Sequence, residues 1–233
     1  MRKNILISGS SRGLGKELTQ ILRSQGYNVF TMGYSTDVPV DLRVDLSNGP
    51  DTKKLLKKFF DKNNIDILVC NAGTGKRPQY LESTFSLSEY FEQKNYVTAK
   101  NLVEACMPYL KEKSSIIAIS SIVALKSMEG APKEYAASKL KLNSYIKKLA
   151  LQCSGRDIRC NIISLGNVFF YGSRWEEISI EKPIFVQELL ENVVPLHRFI
   201  SPDEIAYAII YLSSELSRNI TGMNLIIDGG QSL

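Results

Sequence analysis

The chain has one histidine, His197, and one tryptophan, Trp175, in 233 residues. Its four cysteines, Cys70, Cys106, Cys153 and Cys160, are dispersed and form no C-x-x-C pair. No cluster has metal-ligand spacing, so no metal is expected. A disulfide frame is excluded on the same spacing, and the cysteines read as buried thiols of a reducing compartment. No run approaches the roughly 20 apolar residues of a membrane span. Asn4-Ile5-Leu6-Ile7 is too short for a secretory signal, so a cytoplasmic protein without a membrane partner is expected. Charge of one sign is never concentrated, and the formal net charge is +5. In the densest cluster, Lys53-Lys54-Leu55-Leu56-Lys57-Lys58, the leucines with Phe59 and Phe60 form the buried stripe of a helix and the lysines its wet face. No aromatics interleave the lysines, which argues against a nucleic-acid partner.

What is there builds a core: 44% of residues are hydrophobic. Short apolar runs alternate with longer helical patterns. Strands are expected at Ile5–Ser8, Asn28–Met32, Leu42–Asp45, Ile65–Cys70, Ile116–Ser120, Arg159–Ser164 and Leu225–Ile227. Helices are expected from Leu14 to Gly26 and over Thr52–Lys62, Ser88–Leu110, Glu134–Cys153 and Ser201–Ser213. The last opens on Ser-Pro-Asp-Glu, a capping serine with proline at the first helical position. This rhythm predicts an α/β fold, a Rossmann-type doubly wound parallel sheet with helices on both faces. No repeat or flexible linker interrupts it, so residues 1–233 read as a single domain. The exception is the segment 167–196, which carries Phe169, Phe170, Tyr171, Trp175 and Phe185 and reads as a substrate lid.

Two places carry chemistry. After the first strand comes Ser8-Gly9-Ser10-Ser11-Arg12-Gly13-Leu14-Gly15, then a helix. Gly9 permits a tight turn, and Gly13 lets a pyrophosphate approach the helix N-terminus. The spacing is G-x-x-x-G-x-G, not the G-x-G-x-x-G fingerprint, and an ordinary glycine-rich turn is the plain alternative. The same residues fit G-x-S-x-G, a hydrolase elbow, but that turn would follow the very first strand, with none upstream for an oxyanion loop. The second place is Tyr135-Ala-Ala-Ser-Lys139, where Tyr and Lys share a helical face. For tyrosine to act as a base near pH 7, neighbouring positive charge must supply about 4 kcal/mol. Lys139 and an oxidised nicotinamide are two sources. Ser120-Ser121 ends the preceding strand, where ligands bind in this architecture.

Together these residues resemble the short-chain dehydrogenases/reductases over nearly the whole chain, nearest in pattern to the 3-oxoacyl-carrier-protein reductases. Ser8 to Gly15 matches the family's T-G-x-x-x-G-x-G with serine for threonine. Asn71-Ala72-Gly73, Ile119-Ser120-Ser121-Ile122, Tyr135 with Lys139, Thr221-Gly222 and Asp228-Gly229-Gly230 match further motifs in order. The resemblance implies an NAD(P)(H)-dependent oxidoreductase that interconverts a carbonyl and a secondary alcohol by hydride transfer. Tyr135 would be the acid in reduction and the base in oxidation. Lys139 would hold the nicotinamide ribose and lower the Tyr135 pKa. Ser121, with Ser120 as fallback, would hold the carbonyl, and Asn95 would steady a relay water. Cofactor contacts would come from Gly9, Ser11, Arg12, Gly13, Leu14, Gly15, Tyr34, Asp45, Leu46, Asn71, Ala72, Gly73, Gly166 and Val168, besides Tyr135 and Lys139.

The chain departs from the family at Leu165-Gly166, where P-G is usual, and at Asn167-Val168-Phe169-Phe170, where a threonine near the cofactor amide is common. His197 replaces a common glycine and reads as a structural or rim residue. At the end of the second strand Gly33 stands where NAD enzymes carry an acid, and Arg12 is available for a phosphate. NADP(H) is therefore favoured over NAD(H), although Tyr34 replaces the usual arginine and Asp37 lies close by. Lys76, Arg77 and Arg174 would flank the cleft and favour an anionic small-molecule carbonyl or alcohol. A homodimer or homotetramer through the two long helices is expected. The rival reading is a cofactor-binding regulatory protein without turnover.

Overall fold

Seven short runs, most of them apolar, align as one parallel sheet. The computed structural model describes residues 2–81, 85–128 and 130–233. The strands are β1 (Asn4–Ser8), β2 (Asn28–Gly33), β3 (Leu42–Arg43), β4 (Ile67–Cys70), β5 (Ser115–Ser121), β6 (Arg159–Leu165) and β7 (Asn224–Ile227). They lie in the order β3-β2-β1-β4-β5-β6-β7, and every pairing is parallel. The winding direction reverses between β1 and β4. That reversal opens a crevice at the carboxyl ends of the strands.

The helices are α1 (Gly13–Ser24), α2 (Gly49–Phe60), α3 (Leu87–Glu92), α4 (Thr98–Cys106), α5 (Lys133–Cys153), α6 (Arg174–Glu181), α7 (Pro183–Asn192) and α8 (Pro202–Leu212). Strand side chains alternate between two cores. Ile5, Ile7, Val69, Ile117, Ile119 and Ile163 pack against α1 and α8. Leu6, Leu68, Ile116, Ala118, Cys160 and Ile162 pack against α2, α4 and α5. Both faces of β4 are buried, so it reads as an unbroken apolar run. All four cysteines are buried, and desolvation pushes the Cys70 thiol up to about 12, far from reactive thiolate chemistry. Among the described residues no helix is long and apolar enough to cross a membrane.

Three expectations need correction. The strand expected to reach Asp45 stops at Arg43. The Asp45 carboxylate instead accepts from the Ser47 N–H at 2.9 Å and the Ser47 hydroxyl at 2.7 Å, which closes a turn. The helix expected over Ser88–Leu110 is not regular: a π turn at Gln93–Val97 joins α3 to α4, and Met107–Tyr109 tightens to 3₁₀. The segment 167–196, for which no helix is expected from the sequence, holds α6 and α7. Ser173 caps α6 by accepting from the Glu176 N–H at 3.1 Å, and Pro183 starts α7.

Candidate active site at the switch crevice

The glycine turn is stitched to the end of β4. The Ser8 hydroxyl accepts from the N–H groups of Asn71 and Ala72, both at 3.1 Å. Asn71 Nδ2 donates back to the carbonyls of Ser8 at 3.0 Å and Gly9 at 3.2 Å. Serine in place of threonine therefore serves the turn, because the hydroxyl does the work. Gly9 has φ +66°, and a Cβ on it would stand 2.8 Å from the Ala72 Cα. We expect Gly9→Ala to cost about 3 kcal/mol or more, from the left-handed backbone and the clash together. Thermal melting should show it as a fall of about 6 °C or more, and an unchanged Tm would refute the close approach.

The turn suits an anion. Gly13 has φ +59° and open space beyond it. Arg12 occupies the N-cap of α1 without a side-chain capping bond, and the first turn holds no acid. The amides at that helix end are thus left for a ligand, and the residues fit a dinucleotide pyrophosphate.

Below the turn the reactive candidates converge. Tyr135 lies on the first turns of α5, half-buried. Its ring lies against Gly75, where a Cβ would come within 3.3 Å, and beside Phe91 with centroids 5.7 Å apart. The Ser121 hydroxyl lies near enough to its phenol to favour the phenolate. Lys139, one turn on, is buried and donates from Nζ to the Ile119 carbonyl at 2.9 Å. Asn95, fully buried in the π turn, accepts from the Thr74 N–H at 2.9 Å. Its Nδ2 donates to the carbonyls of Thr74 at 3.1 Å and Phe91 at 3.0 Å. A Cβ on Gly73 would press to 2.6 Å from Asn95 Oδ1 and 3.4 Å from Lys139 Nζ. That crowding explains why only glycine serves there. Ser120, the fallback serine, points instead into the core beneath α5, its hydroxyl buried.

The electrostatics differ from the expectation. Lys139 was expected to lower the Tyr135 pKa. Burial of the phenol pushes it upward, and the Ser121 hydroxyl offsets this only in part. The lysine itself is pulled down to about 8 by burial. Desolvation is the largest influence on both groups.

The rim of the crevice holds one residue the sequence reading missed. At the end of β2 a Cβ on Gly33 would meet Ser11 at 3.1 Å, so an acid there would be crowded. Tyr34 is exposed beyond it. Arg43 on β3 donates to the carbonyls of Ser35 and, at 3.0 Å, Val38. Asp37, bonded by the Ser35 hydroxyl, is held below the usual carboxylate range by that bond, its own backbone N–H, Arg12 and Arg43. Arg12 and Arg43 thus flank one spot. Only the pairing of β3 with β2 shows this. Asp45 is occupied by Ser47, while Leu46 is buried and its carbonyl accepts from Asn101 Nδ2 at 2.8 Å. On the far side the Gly166 N–H donates to Ile227 at 2.9 Å, and Val168 bridges to Ile200.

In the segment expected as a lid, Phe169 stacks on Phe199 with centroids 5.5 Å apart, and Trp175 meets the same ring tilted, with centroids 5.3 Å apart. The cations expected to await an anionic substrate are partly engaged: Glu177 pairs with Lys76 at 3.6 Å and Arg174 at 3.0 Å. Arg77 is exposed. His197 is exposed, in the left-handed region, with Nδ1 at 3.0 Å from the Leu190 carbonyl. Ser11 is buried and packs against Gly33, while the one histidine is bonded to the Leu190 carbonyl.

A doubly wound sheet with an uncapped glycine turn at its switch crevice is a dinucleotide-binding fold. A family profile described as enoyl-(acyl carrier protein) reductase matches residues 9–232. The 3-oxoacyl-[acyl-carrier-protein] reductase FabG of Chlamydia pneumoniae is 28% identical, the match covering 98% of this chain and 96% of that one. The L-fucose dehydrogenase of Bos taurus is also 28% identical, covering 99% and 90%. The RhlG/NADP complex of Pseudomonas aeruginosa superposes with a TM-score of 0.85 at 25% identity, covering 99% and 96%. The chain belongs to the short-chain dehydrogenase/reductase family, whose members are nicotinamide-dependent oxidoreductases.

Proposed function

We propose that this chain uses NADPH to reduce a small-molecule carbonyl to a secondary alcohol. The observation that carries the reading is that Tyr135, influenced by the Ser121 hydroxyl, shares its helix with the buried Lys139, which is tied to the carbonyl of Ile119 on the strand that ends at Ser121. Bound dinucleotide supplies the hydride. Ser121 orients the carbonyl oxygen, and Tyr135 gives that oxygen its proton. Lys139 holds the ribose and keeps positive charge near the phenol, and Asn95 steadies the π turn beside it. The contacts to the cofactor run from Gly9 to Gly15, through Tyr34, Asp45 to Leu46 and Asn71 to Gly73, to Gly166 and Val168.

The preference for NADPH rests on Gly33, which stands where NAD enzymes carry an acid and where an added side chain would crowd Ser11, and on the guanidiniums of Arg12 and Arg43 nearby. A 2′-phosphate would compete with the Asp37 carboxylate for those guanidiniums, and charge-assisted bonds of this kind are the strong ones. Fluorescence titration of the pure protein tests it. NADPH should bind at least about tenfold more tightly than NADH, a difference of about 1.4 kcal/mol. Arg43→Ala should remove most of that advantage and leave NADH within about twofold. Tighter binding of NADH by the unaltered protein would overturn the preference.

One domain carries both sites, with the segment 167–196 as lid. The aromatic rings of Phe169, Phe199 and Trp175 support an apolar or ring-bearing substrate. The relatives named differ in substrate, so an acetoacetyl thioester is the first carbonyl to try. Leu140 and Leu151, exposed on α5, support a homodimer or homotetramer. The buried free thiols support a cytoplasmic setting.

A further inference from the structure

The layer between α5 and the sheet is apolar along most of its length and polar at one place. Ile116 and Ala118 of β5, and Cys160 and Ile162 of β6, pack there against Leu142, Ile146 and Leu149 of α5. By the period of two, Ser120 and Ser164 continue these rows on the same face. They are register partners across β5 and β6. Ser120 is 4% exposed and Ser164 fully buried, and neither hydroxyl has a hydrogen-bond partner among the described residues. Asn143 lies on α5 one turn beyond Lys139. It is also 4% exposed, and neither its Oδ1 nor its Nδ2 has a partner among the described residues.

Buried polar groups in native proteins are bonded to protein or to ordered water. Two hydroxyls and a whole carboxamide left bare in one layer would forfeit a large part of a domain's stability. Their chemistry identifies what satisfies them. The hydroxyls and the amide each donate and accept, and the walls are aliphatic. Such a place takes a small neutral molecule able to do both. We propose that Ser120, Asn143 and Ser164 form an internal water-binding site beneath Lys139, and that Asn143 is a positioning residue for the reaction.

The second half rests on the oxidoreductase reading above. Ser120 stands between Ile119, whose carbonyl accepts from Lys139 Nζ at 2.9 Å, and Ser121, whose hydroxyl favours the Tyr135 phenolate. Water that ties Ser120 to Asn143 fixes the end of β5 against the helix that carries both Tyr135 and Lys139. An aliphatic residue at 143 would leave that spacing to packing alone.

Two measurements decide the site. A high-resolution crystal structure of the unaltered protein should show at least one ordered water within about 3.2 Å of the Asn143 amide and of a serine hydroxyl. Asn143→Leu, apolar and close in volume, should lower Tm by about 3 °C or more, because the water loses an anchor. If Asn143 is bare, the same change relieves a buried unpaired amide. Tm then rises by a similar amount, no water is found, and the site is refuted. For the positioning role, Asn143→Leu should reduce kcat about tenfold with the NADPH Kd unchanged, and Asn143→Ser should restore most of it. Water present with kcat unmoved would overturn the positioning role. Failure of the unaltered protein to reduce any carbonyl would remove the oxidoreductase reading and the positioning role together, while density and melting still decide the water site.

Discussion

Tyr135→Phe is expected to reduce carbonyl turnover about 10³-fold, the loss typical of a removed general acid, with the Kd for NADPH changed by less than about threefold. The substitution deletes one hydroxyl. The ring keeps its place against Gly75 and Phe91, so binding and fold should survive. Burial raises the Tyr135 pKa above its ordinary value near 10. The phenol is therefore protonated throughout the neutral range, ready to act as an acid. Carbonyl reduction should be flat with pH across that range. Alcohol oxidation, which needs the phenolate, should rise as pH increases toward the tyrosine pKa. Steady-state rates in both directions, with parallel cofactor titrations, check this. Turnover that persists in Tyr135→Phe would assign the proton to another group. A protein that binds NADPH and reduces no carbonyl would favour the regulatory rival.

Lys139→Met is expected to abolish turnover and to make the protein more stable. The ordinary lysine pKa is 10.5, and burial lowers it in the folded chain to about 8. Between those values the unfolded state binds more protons, so the stability of the unaltered protein should rise as pH increases from about 8 to about 10.5. Below about 8 the lysine is charged in both states, and the penalty for burying it is complete, on the order of 3 kcal/mol. Methionine removes that penalty but leaves the Ile119 carbonyl without its donor, which costs about 1 kcal/mol. A net gain of about 2 kcal/mol at pH 7 should raise Tm by about 5 °C. The rise in stability between pH 8 and 10.5 should vanish with the lysine. Melting curves across that range check it, and a lower Tm at pH 7 would show that the ammonium is better solvated than its burial implies. The lysine would then be an instance of stability given up for function.

Much of the architecture was legible along the chain, for reasons that act locally. Largely apolar runs of four to seven residues bounded by turns specify every strand but the two-residue β3. Ser201, Pro202 and Glu204 mark the start of α8, and the capping box forms there. Gly9 and Gly15 could be read because a side chain at either would strike backbone. Tyr135 and Lys139 could be paired because four residues on a helix share a face, and Ser121 because it ends the strand before that helix.

Other features depend on which strand lies beside which, and on what water leaves. Arg43 flanks Asp37 opposite Arg12 only because β3 pairs with β2. The π turn at Asn95 follows from hydrogen bonds to Thr74, 21 residues away. Lys76 and Arg174 meet the same carboxylate of Glu177 only once α6 has packed into the fold. The upward push of burial on Tyr135 comes from desolvation, a property of the packed surroundings and not of the residues four apart on a helix. The sequence by itself determined the parallel α/β order, the glycine turn and the Tyr-Lys pair, each through steric and periodic rules that span a few residues. The tertiary structure alone decided the burial of that pair, the second arginine at the rim and the buried polar groups under α5, because solvation and long-range pairing exist only after the chain has closed on itself.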